Sequence, residues 1–142
     1  MKFWDASAIV PLLVDEPARP CLLTDLAADP TMFVWWGTPI ECVCALARRE
    51  REGAMTIAGA AHAIERLRAL GQSWHEILPT DALRSLAQRL LRVHPLRAAD
   101  SMQLAAAIAA TEHVPERMPF VCLDERLAQA ASREGFTVRG LA

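Results

Sequence analysis

Six consecutive residues, Thr31-Met-Phe-Val-Trp-Trp36, form an almost unbroken apolar and aromatic run between Pro30 and Gly37. A strand with one wet face alternates polar and apolar residues, so a run without alternation belongs to a strand covered on both faces. That is the condition of a parallel sheet lying between two layers of helix.

The rest of the chain repeats the arrangement. Lys2 to Asp5, Trp74 to Leu78, Phe120 to Leu123 and Phe136 to Arg139 are short apolar segments, and helix-start signals stand between them. Ser7 is placed to cap a helix running to Val14, and a second helix is expected from Ala18 to Ala28. Thr38-Pro39-Ile40-Glu41 has capping-box spacing and opens a helix to about Glu52. Gly53 ends that helix, and Thr56 starts another that runs to Leu70. Pro79-Thr80-Asp81 starts a further helix that breaks at His94-Pro95. The stretch from Arg97 to Thr111 is apolar nearly all round and reads as a buried helix. Strands alternating with helices predict an α/β fold with a central, mainly parallel sheet of about four or five strands flanked by helices. With 142 residues, 53% of them hydrophobic, residues 1–142 suit a single domain whose core needs no disulfide or metal.

The four cysteines, Cys21, Cys42, Cys44 and Cys122, show neither C-x-x-C nor zinc-finger spacing and read as small core residues. No segment has the apolar length of a signal peptide or a membrane span, so a cytoplasmic protein with reduced thiols is expected and no membrane partner.

Chemistry enters through the carboxylates. In a parallel sheet, ligands bind beyond the carboxyl ends of the strands, and two strands here end in an acid, Asp5 and Asp124. Glu41 lies in the first turn of the helix after the Trp35-Trp36 strand, and Asp100 in the first turn of the buried helix that leads to the Phe120 strand. Both therefore start at the same edge. Each acid has an ordinary explanation as a cap or a partner for a helix dipole. Four together are harder to dismiss, because two carboxylates roughly 6 Å apart at an effective dielectric near 20 repel by nearly 3 kcal/mol. An oxygen-only cluster selects a hard cation, Mg²⁺ or Mn²⁺, and such sites serve phosphodiester hydrolysis.

These residues resemble a family. Asp5-Ala-Ser-Ala before an apolar helix, Pro39-Ile-Glu41, Arg97-Ala-Ala-Asp100 before an alanine-rich helix, and Phe120-Val-Cys-Leu-Asp124 are similar to the motifs of PIN-domain nucleases over nearly the whole chain. Within that group the chain looks like the VapC-type toxins of toxin–antitoxin pairs. The resemblance implies a PIN-like fold and a Mg²⁺-dependent endoribonuclease, with Mn²⁺ as a possible substitute. Asp5, Glu41 and Asp100 would hold the metal, with Asp124 completing the cluster or orienting a second ion, and Ser7 would support Asp5. Metal-activated water would cut the RNA to leave a 5′-phosphate and a 3′-hydroxyl. The resemblance also implies a homodimer and a cognate antitoxin protein. One departure is Leu123, where relatives carry a hydroxyl residue before the last aspartate, and Ser101 is a candidate to compensate.

The remaining residues carry less. With the four acids set aside, fifteen basic residues face thirteen acidic ones, which suits a nucleic acid weakly. Arg48, Arg49 and Arg51 alternate with glutamates and read as a solvated face. Arg126, beside Asp124, is the arginine expected nearest the scissile phosphate. Trp35 and Trp36 could offer a face to an unstacked base, but both are expected in the core. Two alternatives keep the fold: an RNA-processing nuclease that is not a toxin, and a non-catalytic PIN-like binding module, which would be expected to have lost an acid. A D-x-D phosphatase is disfavoured by Ser7, and a receiver domain by the lack of any lysine beyond Lys2.

Overall fold

The computed structural model describes residues 1–141 and follows the expected alternation. In chain order the elements are β1 (Lys2–Trp4), α1 (Ala6–Leu13), α2 (Arg19–Ala28), β2 (Met32–Trp35), α3 (Thr38–Arg51), α4 (Ile57–Gly71), β3 (His75–Ile77), α5 (Asp81–Val93), α6 (Ala98–Ala110), β4 (Phe120–Val121), α7 (Glu125–Arg133) and β5 (Val138–Arg139). A 3₁₀ turn at Pro115–Arg117 precedes β4. The five strands form one sheet in the order β3-β2-β1-β4-β5, and every neighbouring pair is parallel.

Period-two alternation divides the core into two layers. Phe3, Trp35 and Phe120 pack with α5, α6 and α7 on one side, whereas Trp4, Val34 and Val121 pack with α1, α3 and α4 on the other. Phe3 stacks on Phe120, and Phe120 meets Phe136, each pair at 5.5 Å between centroids. The alanine-rich α6 is buried from Leu104 to Ile108, because small side chains let it lie close against the sheet.

Strand order places the site. After β1 the chain moves to β2 and β3 on one side, then returns to lay β4 on the opposite side of β1. The helix after β1 covers one face and the helix after β4 covers the other. A crevice opens where two such connections diverge, and in parallel sheets it lies beyond the strand ends. Asp5 follows β1 and Asp124 follows β4 by three residues, so this crevice falls between them.

Local details differ from expectation. Ser7 does not cap α1; Asp5 does, its carboxylate accepting from the Ser7 amide. Thr38 does not cap α3 either, since it is wholly buried and its hydroxyl accepts from Gln103. Trp36 is 49% exposed and not core, whereas Trp35 is 6% exposed. Trp36 stands one residue past the last paired position of β2, its amide still donating to the Ile77 carbonyl at 3.0 Å. Cys42 and Cys122 are buried as expected, but Cys21 and Cys44 are exposed. Among the described residues no helix is long and apolar enough to cross a membrane.

Candidate active site

Asp5, Glu41, Asp100 and Asp124 line one cavity of about 190 Å³ together with Ser7. Each acid is also tied to the scaffold through one oxygen. Oδ2 of Asp5 accepts from the amide of Ser7 at 3.0 Å and from its hydroxyl. Glu41 Oε2 accepts from Gln103 Nε2 at 2.7 Å, Asp100 Oδ2 from the amide of Arg97 at 3.2 Å, and Asp124 Oδ1 from the amide of Leu127 at 2.9 Å. The second oxygen of each accepts no hydrogen bond among the described residues. Capping and a site role are therefore not alternatives, because one oxygen serves the helix and the other remains available to a ligand.

The electrostatics follow from burial. Asp5 is 4% exposed, and loss of water pushes its pKa from 3.8 up to about 6, against the two Ser7 hydrogen bonds and helped by repulsion from Asp100. Burial likewise raises Glu41 from 4.5 to about 7, with Gln103 opposing and Asp5 and Asp100 adding repulsion. Asp100 is raised by burial first and then by Asp124, against its bond from Arg97. A nearby cation would relieve all of these shifts.

The donor chemistry fits a hard divalent cation: four carboxylates, each with one uncommitted oxygen, and no sulfur or imidazole ligand required. Their present spacing is wider than a closed coordination shell, since among the described residues no three His, Cys, Asp or Glu side chains stand close enough to hold one ion.

Two residues at this site were not singled out by sequence. Gln103 is wholly buried on α6, and its amide nitrogen bridges Glu41 and the Thr38 hydroxyl at 3.0 Å, tying α6 to α3. Its Oε1 has no partner among the described residues. A lone amide inside an otherwise apolar helix, one turn after Asp100, is the signal that could have found it. Cys122 holds its thiol 3.7 Å from Asp5 Oδ2 and 3.4 Å from the Asp124 carbonyl. Burial, then repulsion from Asp5, raises its pKa, so it stays a neutral S–H. Apolar neighbours had made it look like core alone.

Ser7 does more than expected. Its hydroxyl donates to Asp5 and accepts from the amide of Leu123 at 2.9 Å, so it joins the ends of β1 and β4 where Leu123 has no hydroxyl to offer. Ser101 does not compensate; it is buried, with its hydroxyl bonded to the Ala98 carbonyl at 2.7 Å. Arg126 stands exposed in a groove beside Asp100 and Asp124. Arg48 and Arg51 are exposed away from the cavity lining, and Arg49 pairs with Glu16.

The sheet order and the four-acid crevice define an α/β protein of PIN-like architecture. Two solved structures share it over almost the full length. A toxin–antitoxin complex from Klebsiella pneumoniae aligns with 90% of this chain and 91% of its own at a TM-score of 0.64 and 15% identity. FitAcB from Neisseria gonorrhoeae aligns over 97% and 96% at a TM-score of 0.67 and 15% identity. No family model matches the sequence. No curated protein matches it.

The raised carboxylates have a measurable consequence. Folded Asp5 and Glu41 hold protons more tightly than their ordinary values of 3.8 and 4.5, so their contribution favours the folded state at low pH and is lost as pH rises through about 6 and 7. In EDTA the melting temperature is expected to fall by roughly 5–10 °C between about pH 4.5 and pH 8. Adding Mg²⁺ or Mn²⁺ at pH 8 should recover most of it, and less in Asp100→Asn. A flat profile with no response to metal would mean the four acids do not share a site.

Proposed function

We propose that this chain is a divalent-metal-dependent endoribonuclease acting as the toxin of a toxin–antitoxin pair. The observation that carries the reading is the meeting of four carboxylates from four chain segments in one crevice at the carboxyl edge of the sheet, each with an oxygen to spare. The fold shared with a toxin–antitoxin complex supports the cellular role.

Asp5, Glu41 and Asp100 would hold the metal, with Asp124 completing the set. Bound there, Mg²⁺ would supply an activated water and neutralise charge on the phosphate oxygens. The chain supplies the positioning. Ser7 and Cys122 hold Asp5 against the end of β4, Gln103 fixes Glu41 from the buried helix, and the first turns of α6 and α7 orient Asp100 and Asp124. No side chain needs to form a covalent intermediate. The reading includes a cognate antitoxin that covers the crevice and a homodimer as the working assembly.

Purified chain incubated with total cellular RNA should give discrete fragments in Mg²⁺ and none in EDTA. Fragments should end in 5′-phosphate, and co-expression of the neighbouring antitoxin should suppress them. Cleavage that persists unchanged in EDTA, or folded antitoxin-free protein that leaves every RNA intact, would overturn the proposal.

A further inference from the structure

A second depression of about 500 Å³ adjoins the acid cavity and shares Asp100 and Asp124 with it. Its other walls are Arg97, Arg126, Glu125 and Gln129, with Pro95 as the one apolar contributor. The two spaces meet at Asp100 and Asp124, and the larger one adds two arginines and Glu125 beyond the acid cavity.

What sets the two arginines of this groove apart is their place beside the acid cavity, since several other arginines among the described residues also make no ion pair. Arg49, Arg68, Arg84, Arg117 and Arg139 each pair with a neighbouring acid. Arg97 and Arg126 make no ion pair among the described residues, although Glu125, Asp100 and Asp124 line the same groove. Both side chains belong to exposed residues. Each is also indexed to a site acid by a single turn of backbone: Arg97, just ahead of α6, lies three residues before Asp100, and Arg126, in the first turn of α7, two residues after Asp124.

We infer that Arg97 and Arg126 form a clamp for the sugar–phosphate backbone of the RNA strand, gripping the phosphate next to the one that reaches the acid cavity. This inference rests on the nuclease reading and names where its substrate lies. The guanidinium fork matches phosphate oxygens in geometry and keeps its charge at any working pH. The lining offers no aromatic ring or apolar shelf, so this part of the site grips backbone and not bases. Its contribution is therefore independent of sequence. An acidic segment of a protein partner is the competing occupant, and the sharing of Asp100 and Asp124 between this groove and the acid cavity favours the strand that is cut there.

The test measures binding of fluorescein-labelled single-stranded RNAs of unrelated sequence to the full-length chain across a salt series, in Ca²⁺ so that binding is read separately from cleavage. Arg97→Ala and Arg126→Ala should each weaken binding about tenfold for every RNA, and each should lower the slope of log affinity against log salt by about 0.7. Arg68→Ala, paired with Glu65 on α4, is the control and should change neither. Unaltered affinity and slope in the Arg97/Arg126 double variant, while the parent chain still cleaves RNA, would overturn the clamp and leave the nuclease reading standing. An equal loss in Arg68→Ala would reduce the effect to net charge and also overturn it. Loss of antitoxin binding with RNA binding intact would assign the groove to the protein partner. A parent chain that neither binds nor cleaves any RNA would overturn both.

Discussion

Asp5→Asn is expected to abolish cleavage and, in the same molecule, to raise the melting temperature of the metal-free protein. The two effects have one cause. Asp5 is buried and its pKa is pushed up to about 6, so at pH 8 the folded chain holds a charge that the unfolded chain would carry more comfortably in water. Raising its carboxyl from 3.8 to about 6 corresponds to roughly 3 kcal/mol of stability lost to that charge. Asparagine keeps the oxygen that accepts from the Ser7 amide and hydroxyl, and it is as good a helix cap as aspartate. It removes only the charge. The expected gain is about 3–8 °C in EDTA at pH 8, vanishing towards pH 4.5 where the aspartate is already protonated. Cleavage should fall by about a thousandfold or more, the scale on which charge stabilisation at a reacting phosphate acts. Calorimetry and single-turnover cleavage on the same preparation read both effects. A variant that melts lower than the parent, or that still cuts RNA at a comparable rate, would show that Asp5 is there for the fold.

Phe120→Ala should be the most damaging single change to stability. Phe120 is wholly buried on β4, with the rings of Phe3 and Phe136 each 5.5 Å away. Truncation removes the ring and leaves a hole between three elements that cannot all close on it, at a cost of about 3–5 kcal/mol. That is a large part of the 5–15 kcal/mol typical of a folded domain and corresponds to roughly 10–15 °C. Denaturant unfolding should show a lower midpoint at unchanged slope. Phe120→Leu, which keeps most of the volume, should lose under half as much. A loss below about 1 kcal/mol in the alanine variant would mean that β4 and α7 move in to fill the space.

Much of this protein is legible in its sequence, and what is illegible has identifiable causes. Strand–helix alternation is written in the apolar runs; Asp5, Glu41 and Asp124 are placed by the rule that helices after parallel strands start at one edge, and Asp100 by its helix leading into the next parallel strand. Strand order is not written there. That β4 lies beside β1 depends on how the helices pack, and this order brings Asp124 to Asp5. Local hydrogen-bond partners were the other gap. Thr38 and Ser7 have the right chemistry and spacing for caps, but each has a tertiary partner, Gln103 for one and Leu123 for the other. Alternation places Trp35 and Trp36 on opposite faces, but only the full structure reveals which of the two is left exposed. Gln103 and Cys122 escaped because burial among apolar neighbours is also how core residues look.

The order β3-β2-β1-β4-β5 bears on how such a protein is made. As the chain emerges during synthesis, β1, β2 and β3 can associate early, but Asp5 remains without its neighbour until β4 emerges and pairs along β1, more than a hundred residues later. That long-range step is the kind that comes late in folding. A chain that stops short of β4 carries at most three of the four acids, Asp5, Glu41 and Asp100, and lacks the strand that holds Asp124 beside them. Under the proposed function, a growing polypeptide that has not yet made β4 and Asp124 is harmless to the RNA around it, including the message and ribosome that are producing it.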